Sequence, residues 1–320
     1  VIRLASLALV TAFAAAGATA EPLDVSVRAF ESFGSTGGPD GVLEFLGGLE
    51  VSSSDPLFGG FSGIDMIDAA TVFIVSDAAV FARARLVHED GMLVGLSDVE
   101  LQELFPDGDL SKQAGDAEDV ALEPGDPSHG VIVRERQANA LLTFDLVDGR
   151  PENIEPRLVG APDRVLRSNR GLESVAFAPP SSPLASEIVA IAEHNPRGET
   201  DIPGWIAGKG GFTIVRRDDY DISSARFLPD GDLMLLERRY SPAWGIAMRL
   251  RRIPGATIHI GAKVDGEILL DAGMTSQIDN MEGLAVSQDE AGRTILTIVS
   301  DDNFSILQRT LILQFRLIED

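Results

Sequence analysis

Ser62-Gly63-Ile64-Asp65-Met66, Glu118-Asp119-Val120-Ala121-Leu122, Glu173-Ser174-Val175-Ala176-Phe177, Ser223-Ser224-Ala225-Arg226-Phe227 and Glu282-Gly283-Leu284-Ala285-Val286 are the stretches that decide the fold. Each starts on a polar residue and runs into apolar ones, and successive starts lie 56, 55, 50 and 59 residues apart. Self-similarity at a period near fifty residues marks a repeat architecture. Working outward, a second run follows each start, at 71–75, 131–134, 188–192, 233–236 and 295–299. A third run follows at 80–86, 140–146, 212–216, 246–251 and 311–317. These runs are rich in Val, Ile, Leu, Phe and Thr and are bounded by Gly, Pro, Asp and Asn, which is strand-and-turn chemistry. Three or four strands per unit at this period is the signature of a propeller blade.

The sequence therefore predicts an all-β chain, a single β-propeller of five or six blades. A blade cannot bury both faces alone, so blades must stack and the ring must close. The strand-like segments 24–30 and 42–51 stand outside the five units. They are expected to complete the blade begun by the C-terminal strands, with a sixth, degenerate blade at the termini as the alternative. Weak helical periodicity is expected around 97–104. The Gly- and Pro-rich segment 195–211 reads as a long loop, either an active-site lid or a plain surface excursion.

Residues 1–20 carry one charge, Arg3, then an apolar stretch from Leu4 to Ala16 and a small-residue Ala18-Thr19-Ala20 site before Glu21. This reads as a secretory signal peptide and predicts a periplasmic or secreted chain from Glu21 to Asp320, with no membrane span after its removal. The formal charge of −24, from 50 acidic against 26 basic residues, argues against a nucleic-acid partner and favours cations. With no cysteine, thiolate nucleophiles, disulfides and cysteine metal sites are excluded.

The second run of every unit ends in an acid: Asp77, Glu135, Glu193, Glu237 and Asp301. Glu118, Glu173 and Glu282 open three of the first runs. Rotation about a propeller axis would gather such positions at one mouth. Crowded carboxylates demand compensation by protons, cations or arginines such as Arg134, Arg136, Arg170, Arg238 and Arg239. Hard oxygen ligands without cysteine suit Ca²⁺ or Mg²⁺ better than Zn²⁺. Ca²⁺ is the cofactor expected, with Glu173, Glu282, Asp301, Asp77 and Glu118 as its ligands. Glu193, His194, Arg170 and Arg238 are the candidate catalytic groups, His194 as a base and the arginines as anion clamps. No Gly-x-Ser-x-Gly elbow, His-Glu-x-x-His, P-loop or dinucleotide fingerprint occurs.

Phe61-Ser62-Gly63-Ile64-Asp65 with Val75-Ser76-Asp77, Asn169-Arg170-Gly171-Leu172-Glu173-Ser174, Asn280-Met281-Glu282-Gly283-Leu284-Ala285 and Val299-Ser300-Asp301-Asp302-Asn303-Phe304 resemble the phytase-like family, known for esterase-like activity of phytase. The resemblance covers about residues 45–317. It implies a propeller, six-bladed in the calcium-dependent phytases, and hydrolysis of phosphoesters or esters. The fourth unit departs from the pattern, opening on Ser223-Ser224, and so does the second, with Val133-Arg134-Glu135-Arg136. Two functions are left open: metal-assisted hydrolysis of a small phosphate or carboxylic ester, and non-catalytic binding of a small ligand, glycan or protein at an acidic mouth.

Overall fold

The computed structural model describes residues 22–37, 41–105, 116–134, 141–162, 171–195 and 201–319. The expected signal peptide, Glu135, Arg136 and Arg170 lie outside them. Short β-branched and aromatic runs broken by tight turns satisfy their backbone groups by pairing with neighbouring runs, and successive strands within a blade pair antiparallel.

Three N-terminal strands come first, β1 (Val25–Phe30), β2 (Gly34–Gly37) and β3 (Leu43–Ser53). The first blade is β4 (Phe61–Met66), β5 (Thr71–Ser76), β6 (Val80–Glu89) and β7 (Met92–Glu103). The second is β8 (Ala117–Glu123), β9 (Asp126–Arg134), β10 (Leu141–Val147) and β11 (Arg150–Arg157). The third is β12 (Leu172–Phe177), β13 (Ile188–Ala192), β14 (Ile202–Ile206) and β15 (Gly210–Ile214). The fourth starts with β16 (Asp221–Phe227), β17 (Leu233–Ser241) and β18 (Gly245–Ile253). The chain then lends the short β19 (Lys263–Val264) to the edge of the third sheet before returning as β20 (Glu267–Ser276). The fifth has β21 (Asn280–Gln288), β22 (Thr294–Asp301) and β23 (Thr310–Leu317).

The ring closes as the sequence suggests: β3 pairs with β23 and β1 with β3, so the chain start completes the fifth blade. The small β2 pairs with β20, so the same segment also edges the fourth blade. The termini are absorbed into existing blades, and five blades form. Two other expectations are corrected. Residues 97–104 are the end of strand β7 and the turn after it, with Val99 and Leu104 buried. The segment 195–211 contains all of β14 and enters β15, so the expected third strand at 212–216 is instead part of a fourth. Glycine and proline are tolerated there because Phe212 lies across from Gly204, its ring filling the space a side chain would need.

Among the described residues, buried apolar side chains form five clusters, each between two adjacent blades. Ile191, Ile202 and Phe212 meet Ile222 and Leu235, for example, between the third and fourth. The innermost strands β4, β8, β12, β16 and β21 neighbour one another in a closed circuit about the axis. Close approach is needed there: a Cβ on Gly63 would lie 2.6 Å from Asp119 Cα.

One charged side chain plugs this axis. Arg226, 4% exposed, donates Nη2 to Ile64 O at 3.0 Å in the first blade and to Asp119 Oδ1 at 2.8 Å in the second. Its Nη1 donates to Asp119 Oδ2 at 2.9 Å and to Val175 O at 2.7 Å in the third. Ser224 accepts from Leu284 N at 3.2 Å, bringing in the fifth. Burial alone would lower the guanidinium's pKa, but Asp119 and Asp65 outweigh it and raise it, so Arg226 stays charged. Removing one partner of a buried pair strands the other charge. Arg226→Met should cost about 3–5 kcal/mol in urea unfolding. A loss below about 1 kcal/mol would mean that the plug does not hold the ring.

Candidate functional site

Every innermost strand carries a register shift at one place: between Phe61 and Gly63, Ala117 and Asp119, Leu172 and Ser174, Ile222 and Ser224, and Met281 and Gly283. The extra residue is in turn Ser62, Glu118, Glu173, Ser223 and Glu282, the first residue of each sequence repeat. A β-bulge re-aims its side chain, and here the same bulge recurs around the ring at one end of the axis. Ser62 and Ser223 turn to the next blade, donating to Ala117 O at 2.5 Å and to Met281 O at 3.0 Å. The three glutamates are left at the mouth.

Into this mouth projects Arg238 of β17. Its Nη2 lies 3.1 Å from Glu193 Oε1 and 3.4 Å from Glu173 Oε1, and its Nη1 2.8 Å from Glu282 Oε1. Asn280 locks the arrangement, accepting from Arg238 at 2.9 Å and donating to Glu282 at 2.7 Å. Glu193 also meets His194 Nδ1 at 3.2 Å, so it joins the imidazole to the guanidinium. Asp301, at the end of β22, accepts from Asn303 N at 2.6 Å and feels both Asp77 and Asp302. Glu118 acts electrostatically on Glu173.

Burial pushes Glu173 well above the usual carboxyl range, and Glu118 and Glu193 push it further against the pull of Arg238. Burial pushes Glu282 up to about 7, with Arg238 opposing and Asp301 assisting. Burial likewise pushes Asp301 up to about 7, opposed by Asn303 N–H and assisted by Asp77. Burial would lower Arg238, but Glu282, Glu173, Glu193 and Glu118 reverse it and raise it.

Thus Glu118, Glu173, Glu193, His194, Arg238, Glu282, Asp301 and Asp77 share one mouth. Glu237 does not. Strand β17 runs on past it to Ser241, and alternation turns Glu237 away from Arg238, to buried Arg251. Arg251 in turn donates to Asp265 Oδ1 at 2.9 Å. Sequence reasoning missed Asn280 and the axial Arg226, although Arg226 was visible as a lone arginine at a repeat position held elsewhere by Asp or Ala. It also missed a cavity of about 580 Å³ beside Arg238, lined by Glu193, Asp221, Arg239, Tyr240, Trp244 and Ile246. Trp244 and Tyr240 are 79% and 74% exposed at its edge.

The donor set does not fit Ca²⁺ as arranged. Among the described residues no three His, Asp or Glu side chains are grouped so as to hold a metal ion. The guanidinium of Arg238 stands between the carboxylates that would have to converge.

A profile of the phytase-like family, described as esterase-like activity of phytase, matches residues 56–304. The chain belongs to this family. None of the curated proteins matches it. Among solved structures, it is similar to an oxidoreductase (glucose dehydrogenase) from Thermus thermophilus, with 14% identity over 90% of this chain and 100% of that one and a TM-score of 0.36. It is also similar to a second glucose dehydrogenase, at 10% identity over 87% and 99% of the two chains, TM-score 0.41. A third likeness is to a calcium-binding protein, regucalcin, from Agrobacterium tumefaciens, at 11% identity over 90% and 93%, TM-score 0.40. At these scores the structural likenesses carry no further argument.

In this phytase-like chain the family motif Asn280-Met281-Glu282-Gly283-Leu284 has a local physical account. Asn280 fixes Arg238 and Glu282, Met281 fills the core, and Gly283 lets β21 approach Ile64 of the first blade. The raised carboxyls also have a measurable consequence. Between the unfolded value near 4.5 and the folded value near 7, Glu282 is protonated when folded and ionised when unfolded, so its contribution to stability is lost as pH rises through that window. The melting temperature should fall from about pH 5 to about pH 7.5, and fall less in Glu282→Gln. An identical slope in both proteins would contradict the assignment.

Proposed function

We propose that the mouth hydrolyses small neutral carboxylic esters. The observation that carries this reading is the coexistence, around one guanidinium, of a carboxylate held by Arg238 and His194 and of buried carboxyls pushed into the neutral range. A carboxyl that keeps its proton near neutrality is what protonating a leaving group needs. Family membership supports ester hydrolysis in general, and the acid-rich mouth favours neutral esters over phosphate esters. Glu118, Glu173, Glu193, Glu282, Asp301 and Asp77 face one another around Arg238, so a phosphate dianion meets repulsion that a neutral ester does not. Trp244, Tyr240 and Ile246 offer apolar surface for the ester's body.

In this reading Glu193 takes a proton from water, and the water oxygen bonds to the ester carbonyl carbon. The carbonyl electron pair moves to oxygen, where Arg238 stabilises the charge. Collapse breaks the bond to the leaving oxygen, which takes its proton from neutral Glu282. Acid and alcohol leave, Glu193 returns its proton to water and Glu282 is reprotonated. His194 positions Glu193.

Export and Ca²⁺ belong to the proposal as well. Ca²⁺ enters as a competitor of Arg238 for Glu173, Glu282 and Asp301, and no step depends on it. Added Ca²⁺ should raise the melting temperature of Arg238→Gln more than that of the wild type at equal ionic strength. Equal shifts would show that Arg238 does not occupy the cation's place.

Ethyl butyrate and p-nitrophenyl butyrate test the chemistry, because p-nitrophenolate leaves without a proton. Glu193→Gln should lower kcat on both. Glu282→Gln should lower it about 10²–10⁴-fold on the ethyl ester, far less on the nitrophenyl ester, and abolish the alkaline limb of the pH profile. Absence of turnover of either ester by the wild type would overturn the proposal in favour of a binding mouth.

A further inference from the structure

The axis has a second mouth, at the end opposite Arg238, and its chemistry is different. The turns that follow the five innermost strands enclose a funnel of about 640 Å³. Its walls are apolar: Met66, Leu122, Phe177, Phe227 and Val286 come one from each blade. Prolines stiffen the turns, with Pro124 and Pro127 in the second blade, Pro179 and Pro180 in the third and Pro229 in the fourth. Such a rigid apolar cavity with a few convergent polar groups is the usual form of a small-molecule site.

The polar groups here have one sign available. At the floor lies Asp65, 8% exposed, whose Oδ1 accepts from Met66 N at 2.8 Å and Oδ2 from Leu122 N at 2.7 Å. Its Oδ2 also lies 3.7 Å from Arg226 Nε, so Asp65 is already paired at the floor. Asp68 and Glu123 stand on the lining. Arg226 is the single base lining the funnel among the described residues, and both its terminal nitrogens are engaged by Asp119 and by backbone carbonyls. An entering anion would find two rim carboxylates and a guanidinium already bound. An entering cation would find the two rim carboxylates, Asp68 and Glu123, and a greasy wall.

We infer that this funnel is a second ligand site, selective for a small organic cation with an apolar body, an alkyl- or arylammonium whose chain lies against Met66, Leu122, Phe177, Phe227 and Val286 and whose charge is held by Asp68 and Glu123 at the rim. It is independent of the chemistry at the other mouth, from which it is separated by the Arg226 plug.

The test is calorimetric titration of the full chain with three probes of equal apolar body: 4-phenylbutylammonium, 5-phenylpentanoate and 4-phenylbutanol. The ammonium should bind at least tenfold more tightly than the other two. Because Asp65 also holds two backbone N–H groups, the variants are placed on the rim. Glu123→Lys should weaken the ammonium at least tenfold, and Ser287→Trp, which fills the funnel, should abolish its binding, each with an unchanged melting temperature. Trp244→Ala, at the other mouth, should leave it unaltered. Equal binding of all three probes, or no binding, overturns the inference. Binding lost in Trp244→Ala but kept in Ser287→Trp would place the cation at the Arg238 mouth and overturn it equally, without bearing on ester hydrolysis.

Discussion

The Arg226–Asp119 pair is the constraint on which the ring depends. Five blades whose apolar faces stack in pairs leave an axis where five innermost strands converge, and the carbonyls of Ile64, Val120 and Val175 turn into it. Those residues are buried, and an apolar plug would leave their carbonyls unsatisfied. A guanidinium has five donors in a fixed fork and can serve several carbonyls and a carboxylate together. Asp119 returns the charge and also accepts from Val175 N at 3.1 Å, so one ion pair ties the first four blades. Its burial is costly in itself, and its value is that the blades pair in one register about one centre.

The same axis explains the mouth. Sheet alternation alone would bury or expose a side chain by its parity, but a bulge at the same place in all five innermost strands breaks that parity and swings one residue of each blade out of its sheet. Whether that residue is Ser or Glu decides what the mouth becomes. Two serines are absorbed as links between blades, and three glutamates remain to be compensated. The fourth blade offers Ser223 in place of a glutamate and, from its next strand, Arg238, so the departure in its repeat is matched by the cation the mouth requires. Acid crowding, burial and one guanidinium then hold Glu282 and Asp301 near neutrality.

Much of this was legible in the sequence, because a blade has to repeat its apolar runs and the first residue of each repeat is the bulge residue itself. The closing strands were legible for a like reason, as runs without a unit of their own. What failed did so for local reasons. Glu237 looked like a strand-end acid, but β17 continues four residues further and turns it toward Arg251. Pro203 and Gly204 looked like loop chemistry, but Phe212 covers Gly204 across the hairpin. The crowded acids were expected to be compensated by protons, cations or arginines, with Arg238 among five candidate arginines. The sequence could not show which of them stands among the acids, since the reach of Arg238 from β17 is set by the strand's register with β16, where it faces Asp221.

The account rests most directly on the protonation of the mouth carboxyls, which can be read by following the ¹³C side-chain carboxyl resonances of labelled glutamate through a pH titration. It predicts at least one glutamate titrating near pH 7, absent from Glu282→Gln and shifted in Arg238→Gln. Glutamates titrating uniformly between about pH 4 and pH 5 would contradict it, leaving the acids as a solvated rim.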